Sequence, residues 1–174
     1  MKKPASGPFL TRYCRFEPGW VAVSWLGDRV AKVEFCSRPR NSNDDKKLRK
    51  ELEMVLAGGP VPRELRIDAD KLPEFTKRAL GACAAIKPGR VMTYTELARA
   101  TGRPKAPRAA GQVMAKNRFP LLIPCHRVVG SGMNLTGFGG GMGWKEWLLG
   151  REGWSFEGKG RTRKLARRGC GCCN

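Results

Sequence analysis

The 174-residue chain reads as a small α/β N-terminal domain, a sheet with one helix, followed by a mostly α C-terminal domain that contains a helix-turn-helix. Three observations predict this. Two β-rich runs flank a turn signal near the N-terminus. Apolar residues recur at helical spacing after Pro73. A capping box then opens a pair of short helices in the most basic part of the chain.

Residues 1–70 make up the first domain. Trp20 to Trp25 is rich in β-favouring residues, Leu26-Gly27-Asp28-Arg29 is turn chemistry, and Val30 to Phe35 alternates apolar with polar; together they predict a hairpin. Ser37 to Asp45 is a polar loop. Asp44 or Asp45 is placed to cap a helix that runs to about Ala57 and stops at Gly58-Gly59-Pro60. Glu64 to Ile67 reads as a further strand. Nothing catalytic is visible in these residues.

Residues 71–157 form the second domain. Pro73 suits a first helical position, and Phe75, Ala79, Leu80, Cys83 and Ile86 follow at helical spacing until Lys87-Pro88-Gly89 ends the run. Thr93 and Glu96 have capping-box spacing ahead of Leu97 and Ala98, Gly102 stops that helix, and Arg108 to Lys116 forms the next. The second helix opens Arg108-Ala109-Ala110-Gly111. Such small residues suit either close approach to a nucleic-acid groove or close helix–helix packing. Residues 158–174 are basic and Gly-rich, and are expected to be disordered.

Charge narrows the partner. Lys plus Arg number 34 against 15 Asp plus Glu, a net charge of +19, which attracts polyanions. Between Thr76 and Arg127 there are eleven Lys or Arg and a single acid, Glu96, beside the expected helix pair. No apolar run approaches membrane-spanning length and no signal peptide is visible, so no membrane partner is expected. Four of the seven cysteines are scattered singly, the other three close the chain, and His126 is the only histidine; a Cys/His metal site therefore has little to draw on.

The chemistry concentrates in Leu121 to Val129. An apolar run delivers Cys125, His126 and Arg127 in succession. A thiolate is the reactive form of cysteine, and a nearby base or cation favours it. Neighbours in an extended segment point to opposite sides, so Cys125 and His126 need a local bend or a bridging water to cooperate.

Pro124-Cys125-His126-Arg127-Val128-Val129 resembles the acceptor motif of the O6-alkylguanine-DNA alkyltransferases. The resemblance runs from about Phe75 to Gly153 and includes Val91 to Ala98, Arg103 to Gly111, Asn117 and Trp144 to Gly153. It implies that Cys125 accepts the alkyl group, His126 takes the thiol proton through water, Glu152 orients His126, and Asn117 ties the recognition-helix turn to the acceptor loop. It implies that Tyr94 presses on the target phosphate and donates a proton as guanine leaves. DNA contacts fall to Arg108, which fills the gap left by the extruded base, and to Thr95, Ala109, Ala110, Gly111 and Arg127. The substrate pocket falls to Met114, Val128, Phe138, Gly139 and Gly140. Family members commonly carry tyrosine and serine where this chain has Phe138 and Gly139, which bears on rate and alkyl range. The implied function is single-turnover alkyl transfer from guanine O6 in duplex DNA to Cys125, with base flipping and no metal or other cofactor. A monomer is expected, cytoplasmic in a prokaryote or nuclear in a eukaryote and not secreted. The alternative is a lesion-sensing DNA-binding protein or regulator without transfer.

Overall fold

The computed structural model describes residues 10–36, 43–67, 69 and 72–167. Residues 37–42 of the polar loop and residues 168–174, with Cys170, Cys172 and Cys173, lie outside the described residues. Strands β1 (Leu10–Phe16), β2 (Gly19–Leu26) and β3 (Arg29–Cys36) form an antiparallel sheet in that order. The predicted hairpin is β2–β3, with Val21 opposite Phe35 and Val23 opposite Val33. Alternation sends Cys14, Phe16, Val21 and Val23 into the core, and a bulge in the β2–β3 pairing lets Val30 and Val33 both join them. Sequence patterning does not reveal β1, because Arg12 and Arg15 interrupt its apolar residues.

Helix α1 (Lys46–Leu56) starts where Asp45 Oδ1 accepts a hydrogen bond from Leu48 N at 2.9 Å. That bond satisfies one of the first-turn donors. The helix buries Leu48, Leu52, Val55 and Leu56. The strand expected over Glu64 to Ile67 does not form. A 3₁₀ turn, Arg63–Leu65, stands there, followed by one parallel bridge between Val30 and Ile67. Pro60 and Pro62 precede the segment and cannot donate to a ladder. Its ties to the sheet are Arg66 O, accepting from Val30 N at 2.8 Å, and Glu64 O, accepting from the Trp25 indole at 2.6 Å.

Helix α2 (Glu74–Ala84) buries Ala79, Leu80 and Cys83, with Pro73 one position earlier than expected, at the cap. Thr93 and Glu96 make a complete capping box for α3 (Tyr94–Ala100). Gly102 turns the chain with φ +78°, a conformation that disfavours any residue with a Cβ, and α4 (Pro107–Ala115) begins on a proline at its first turn. Two further strands of two residues each, β4 (Met92–Thr93) and β5 (Val128–Val129), pair in parallel. This small ladder sets the start of α3 beside the end of the Cys125 segment.

Helix α5 (Met142–Arg151) is followed by β6 (Trp154–Glu157) and β7 (Lys164–Arg167), an antiparallel pair. The expectation of disorder from residue 158 onward is therefore corrected for residues 158–167. Basic composition obscures Leu165, which is 6% exposed and packs with Val129, Leu135, Leu149 and Trp154. The backbone adds a second tie, Leu135 N donating to Arg163 O at 2.8 Å.

The two expected domains share one core. A single cluster joins Cys14, Val23 and Leu52 to Leu80, Leu97, Cys125 and Leu148. An aromatic seam reinforces it, with Trp144 6.1 Å from Phe16 and 4.5 Å from Phe35 between ring centroids. Among the described residues no helix is long and apolar enough to cross a membrane.

The buried Leu165 makes the hairpin's contribution measurable. Leu165→Ala is expected to cost about 2–5 kcal/mol in urea unfolding, as for other buried leucines. A cost near zero would mean that the hairpin does not pack against β5 and α5 in solution.

Candidate active site

The segment that carries Cys125 is bent at every step. Leu121 takes a positive φ of 72°, uncommon for a residue with a side chain. Pro124, at φ −78° and ψ 61°, makes an inverse γ-turn in which Cys125 N donates to Ile123 O at 2.8 Å. Cys125–Arg127 then forms one 3₁₀ turn rather than extended chain. Asn117 holds the approach to this bend: its Nδ2 donates to Ile123 O at 3.1 Å, and Phe119 N donates to its Oδ1 at 3.0 Å.

One carboxylate organises the two residues after Cys125. Glu152 Oε1 lies 2.9 Å from His126 Nε2, 2.9 Å from Arg127 Nε and 2.8 Å from the second guanidinium nitrogen. Its Oε2 accepts from Gly89 N at 3.1 Å. Burial raises the proton affinity of Glu152, but hydrogen bonds from His126 and Arg127 and their charges outweigh it and hold the carboxyl below its ordinary range. A carboxylate only accepts, so Nε2 carries the His126 proton and Nδ1 keeps the lone pair. Nδ1 is buried and has no hydrogen-bond partner among the described residues. Burial lowers the His126 pKa despite Glu152, which keeps the ring neutral and basic at Nδ1.

Cys125 is itself buried. Desolvation raises its pKa, while hydrogen bonding from Asn117 and the charge of Lys145 work in the opposite direction. Lys145 is completely buried on α5; its Nζ donates to Val128 O at 2.8 Å and to Thr136 O at 3.2 Å. Burial brings its pKa down to about 8. Lys145 is not among the site residues expected from sequence. The available signal is its place on the buried stripe Trp144, Lys145, Leu148, Leu149, where a charge needs a reason.

Tyr94, first residue of α3, turns toward the same site. Thr136 Oγ1 donates to its hydroxyl at 3.1 Å, which leaves the phenolic proton free, and burial raises the pKa of that proton. A cavity of about 150 Å³ adjoins Cys125 and is lined in part by Asn117, Met114, Phe138 and Gly139. Val128 and Gly140, expected in the pocket, do not line it: Val128 is fully buried in β5, and Gly140 lies against the Phe35 ring. Phe35 and Val33 of β3 line it instead, a contribution from residues where no site is expected.

Three expected DNA contacts are given other roles by the fold. Arg127 is 4% exposed and spends its guanidinium on Glu152, Ile86 O at 2.7 Å and Leu56 O at 3.1 Å. Turned inward to these partners, its guanidinium is not presented to a phosphate. Ala110 is fully buried, and a Cβ on Gly111 would lie 3.6 Å from the Tyr94 ring, so much of the small-residue stripe serves packing. Arg108 is exposed, and Ala109 and Thr95 are half-buried.

A buried thiol and a carboxylate-held imidazole share one 3₁₀ turn near a pair of short helices, an arrangement suited to cysteine chemistry. Comparison with known proteins narrows the class. Residues 74–154 match the family described as 6-O-methylguanine DNA methyltransferase, DNA binding domain. The chain is 34% identical over 147 residues to the methylated-DNA–protein-cysteine methyltransferase of Methanothermobacter thermautotrophicus, covering 80% of this chain and 82% of that protein. It is 46% identical over 95 residues to the human protein of that name, covering 54% of this chain and 45% of the relative. The crystal structure of Mycobacterium tuberculosis OGT in complex with DNA superposes with a TM-score of 0.66 at 26% identity, covering 82% of this chain and 92% of that one. The chain belongs to the methylated-DNA–protein-cysteine methyltransferase family.

Glu152 makes stability depend on acid. Its folded pKa lies below the ordinary carboxylate value of about 4.3, so its contribution is present above that value and is lost as pH falls through the folded pKa. Glu152→Gln leaves Arg127 buried without a counter-charge, and is expected to cost about 3–5 kcal/mol at neutral pH. Urea unfolding of both proteins at descending pH checks this: the gap should close in acid. A constant gap would remove Glu152 as the titrating group.

Proposed function

We propose that this protein repairs O6-alkylated guanine in duplex DNA by moving the alkyl group to Cys125 Sγ. The observation that carries the reading is the His126 ring, tied at Nε2 to Glu152 and left with a free lone pair at Nδ1 next to the acceptor residue. The name the relatives carry and the DNA complex of the M. tuberculosis structure support the substrate.

The bonds balance without a cofactor. His126 Nδ1 takes the Cys125 proton through a bridging water. The thiolate attacks the alkyl carbon, a C–S bond forms, and the C–O6 bond breaks with its electron pair passing into the guanine ring. Tyr94, whose hydroxyl proton is free, protonates the departing base. Lys145 and Asn117 favour the thiolate as it forms. The product thioether has no leaving group for water or thiol, so each chain accepts one alkyl group.

Guanine O6 is out of reach while the base is stacked, so the nucleotide must leave the duplex. In this reading α3 and α4 act as a helix-turn-helix, with exposed Arg108 entering the duplex behind the extruded base and Ala109 and Thr95 close to the groove. The net charge of +19 supplies the salt-dependent attraction to phosphate.

The decisive experiment mixes the protein with duplex DNA carrying one O6-methylguanine and weighs the intact chain. A gain of one methyl in place of hydrogen, mapped to Cys125 and lost in Cys125→Ser, is expected. Tight lesion-selective binding without a mass change would leave a damage sensor and remove transfer.

A further inference from the structure

Part of the wall of the cavity beside Cys125 comes from Phe35 and Val33 of β3, outside the segment 74–154 that matches the family's DNA-binding domain. Phe35 is held from several directions. Its ring centroid lies 4.5 Å from that of Trp144 and 5.4 Å from that of Phe138. It also rests on Gly140, where a Cβ would collide with the ring. Its backbone is fixed in the sheet opposite Val21. The other walls are softer. Met114 is unbranched and adaptable, and Phe138 sits on a loop that contains Gly137, Gly139, Gly140 and Gly141.

We infer that Phe35 sets the upper size of the alkyl group that Cys125 accepts, and that methyl and comparably small groups are the substrates. The inference rests on the alkyl-transfer reading. About 150 Å³ must hold the alkyl group together with the O6 edge of the extruded base. A methyl group is close in size to one water, whose share of liquid volume is about 30 Å³, and it fits. An aromatic group has to push Phe35 into Trp144, and close-packed interiors resist such displacement. Removing the Phe35 ring opens the cavity toward the sheet without touching Cys125, His126, Glu152 or Asn117.

The test compares single-turnover transfer from two matched duplexes, one with O6-methylguanine and one with O6-benzylguanine. The proteins are the natural chain, Phe35→Ala and Phe35→Leu, each with its thermal unfolding recorded. The natural chain is expected to favour methyl by about tenfold or more, the scale on which a tight apolar pocket discriminates size. Phe35→Ala should reduce the ratio of methyl to benzyl transfer rates about tenfold, whatever factor is common to both rates, and Phe35→Leu should fall between. Variants that transfer methyl normally with an unchanged preference would overturn the inference. Loss of methyl transfer in both variants would overturn it as well, since Phe35 would then serve the reaction or the fold rather than size. A natural chain that transfers neither group would instead overturn the repair reading, and the size rule with it.

Discussion

The Glu152 carboxylate is the constraint on which fold and chemistry both depend. It stands where three separate pieces of chain converge: the acceptor turn through His126 and Arg127, the turn after α2 through Gly89, and the end of α5, from which it comes. Arg127 extends the reach to Leu56 O, at the last residue of α1, and Ile86 O, just past α2. Carbonyls at helix ends lack partners within the helix, and Arg127 supplies them. Burying ions is costly unless they are paired and hydrogen-bonded, and Glu152 and Arg127 bond each other and three backbone groups as well. The same carboxylate fixes the His126 tautomer. Weakening the ion pair therefore disturbs the proton acceptor and the packing of both halves of the chain at once.

Cys125 has the opposite character. Its burial disfavours the charged form, so the group favours the thiol, and thiolate chemistry there would call for a base. The next residue carries a neutral imidazole, and the charge of buried Lys145 works in favour of the thiolate. Lys145 is not a surface charge turned inward by accident: its two carbonyl partners, Val128 and Thr136, lie on the strand after the acceptor and on the loop that bears Tyr94's partner hydroxyl. One cation thus ties the acceptor strand to the substrate loop while it lowers the cost of a neighbouring negative charge.

Much of this is legible in the sequence where the signal is local. The β2–β3 hairpin, the Asp45 cap and the Thr93–Glu96 box are short-range patterns, and each stands where its residues point. Cys125, His126, Asn117, Glu152 and Tyr94 can be picked out from matching blocks of sequence, and the structure gathers them around one bend. Long-range placement is not legible. Strand β1 hides behind two arginines, the hairpin of residues 154–167 hides behind basic composition, and Phe35 reaches the cavity only because the sheet folds against α5. Arg127 reads as a phosphate ligand because cationic residues usually face solvent. Its burial follows from Glu152, which is 25 residues away in sequence.

The hairpin also bears on the loop that leads into α5. Phe138 and Gly139 lie in this glycine-rich loop, and glycine adds backbone freedom whose loss costs entropy. Both ends of that loop are fixed. At its start Leu135 N is bonded to Arg163 O at 2.8 Å, and Asn134 bridges to Lys164. At its end Arg163 grips both oxygens of Glu146 on α5, at 3.0 and 2.9 Å. Thr136 is held from two further directions, by Tyr94 through its hydroxyl and by Lys145 through its carbonyl. The freedom that the glycines introduce is thereby confined to residues 137–141, the stretch that carries Phe138 and Gly139 to the cavity wall. Even there Gly141 N is bonded to Phe138 O at 2.9 Å, so the wall beside Cys125 is set by a closed turn between two fixed ends.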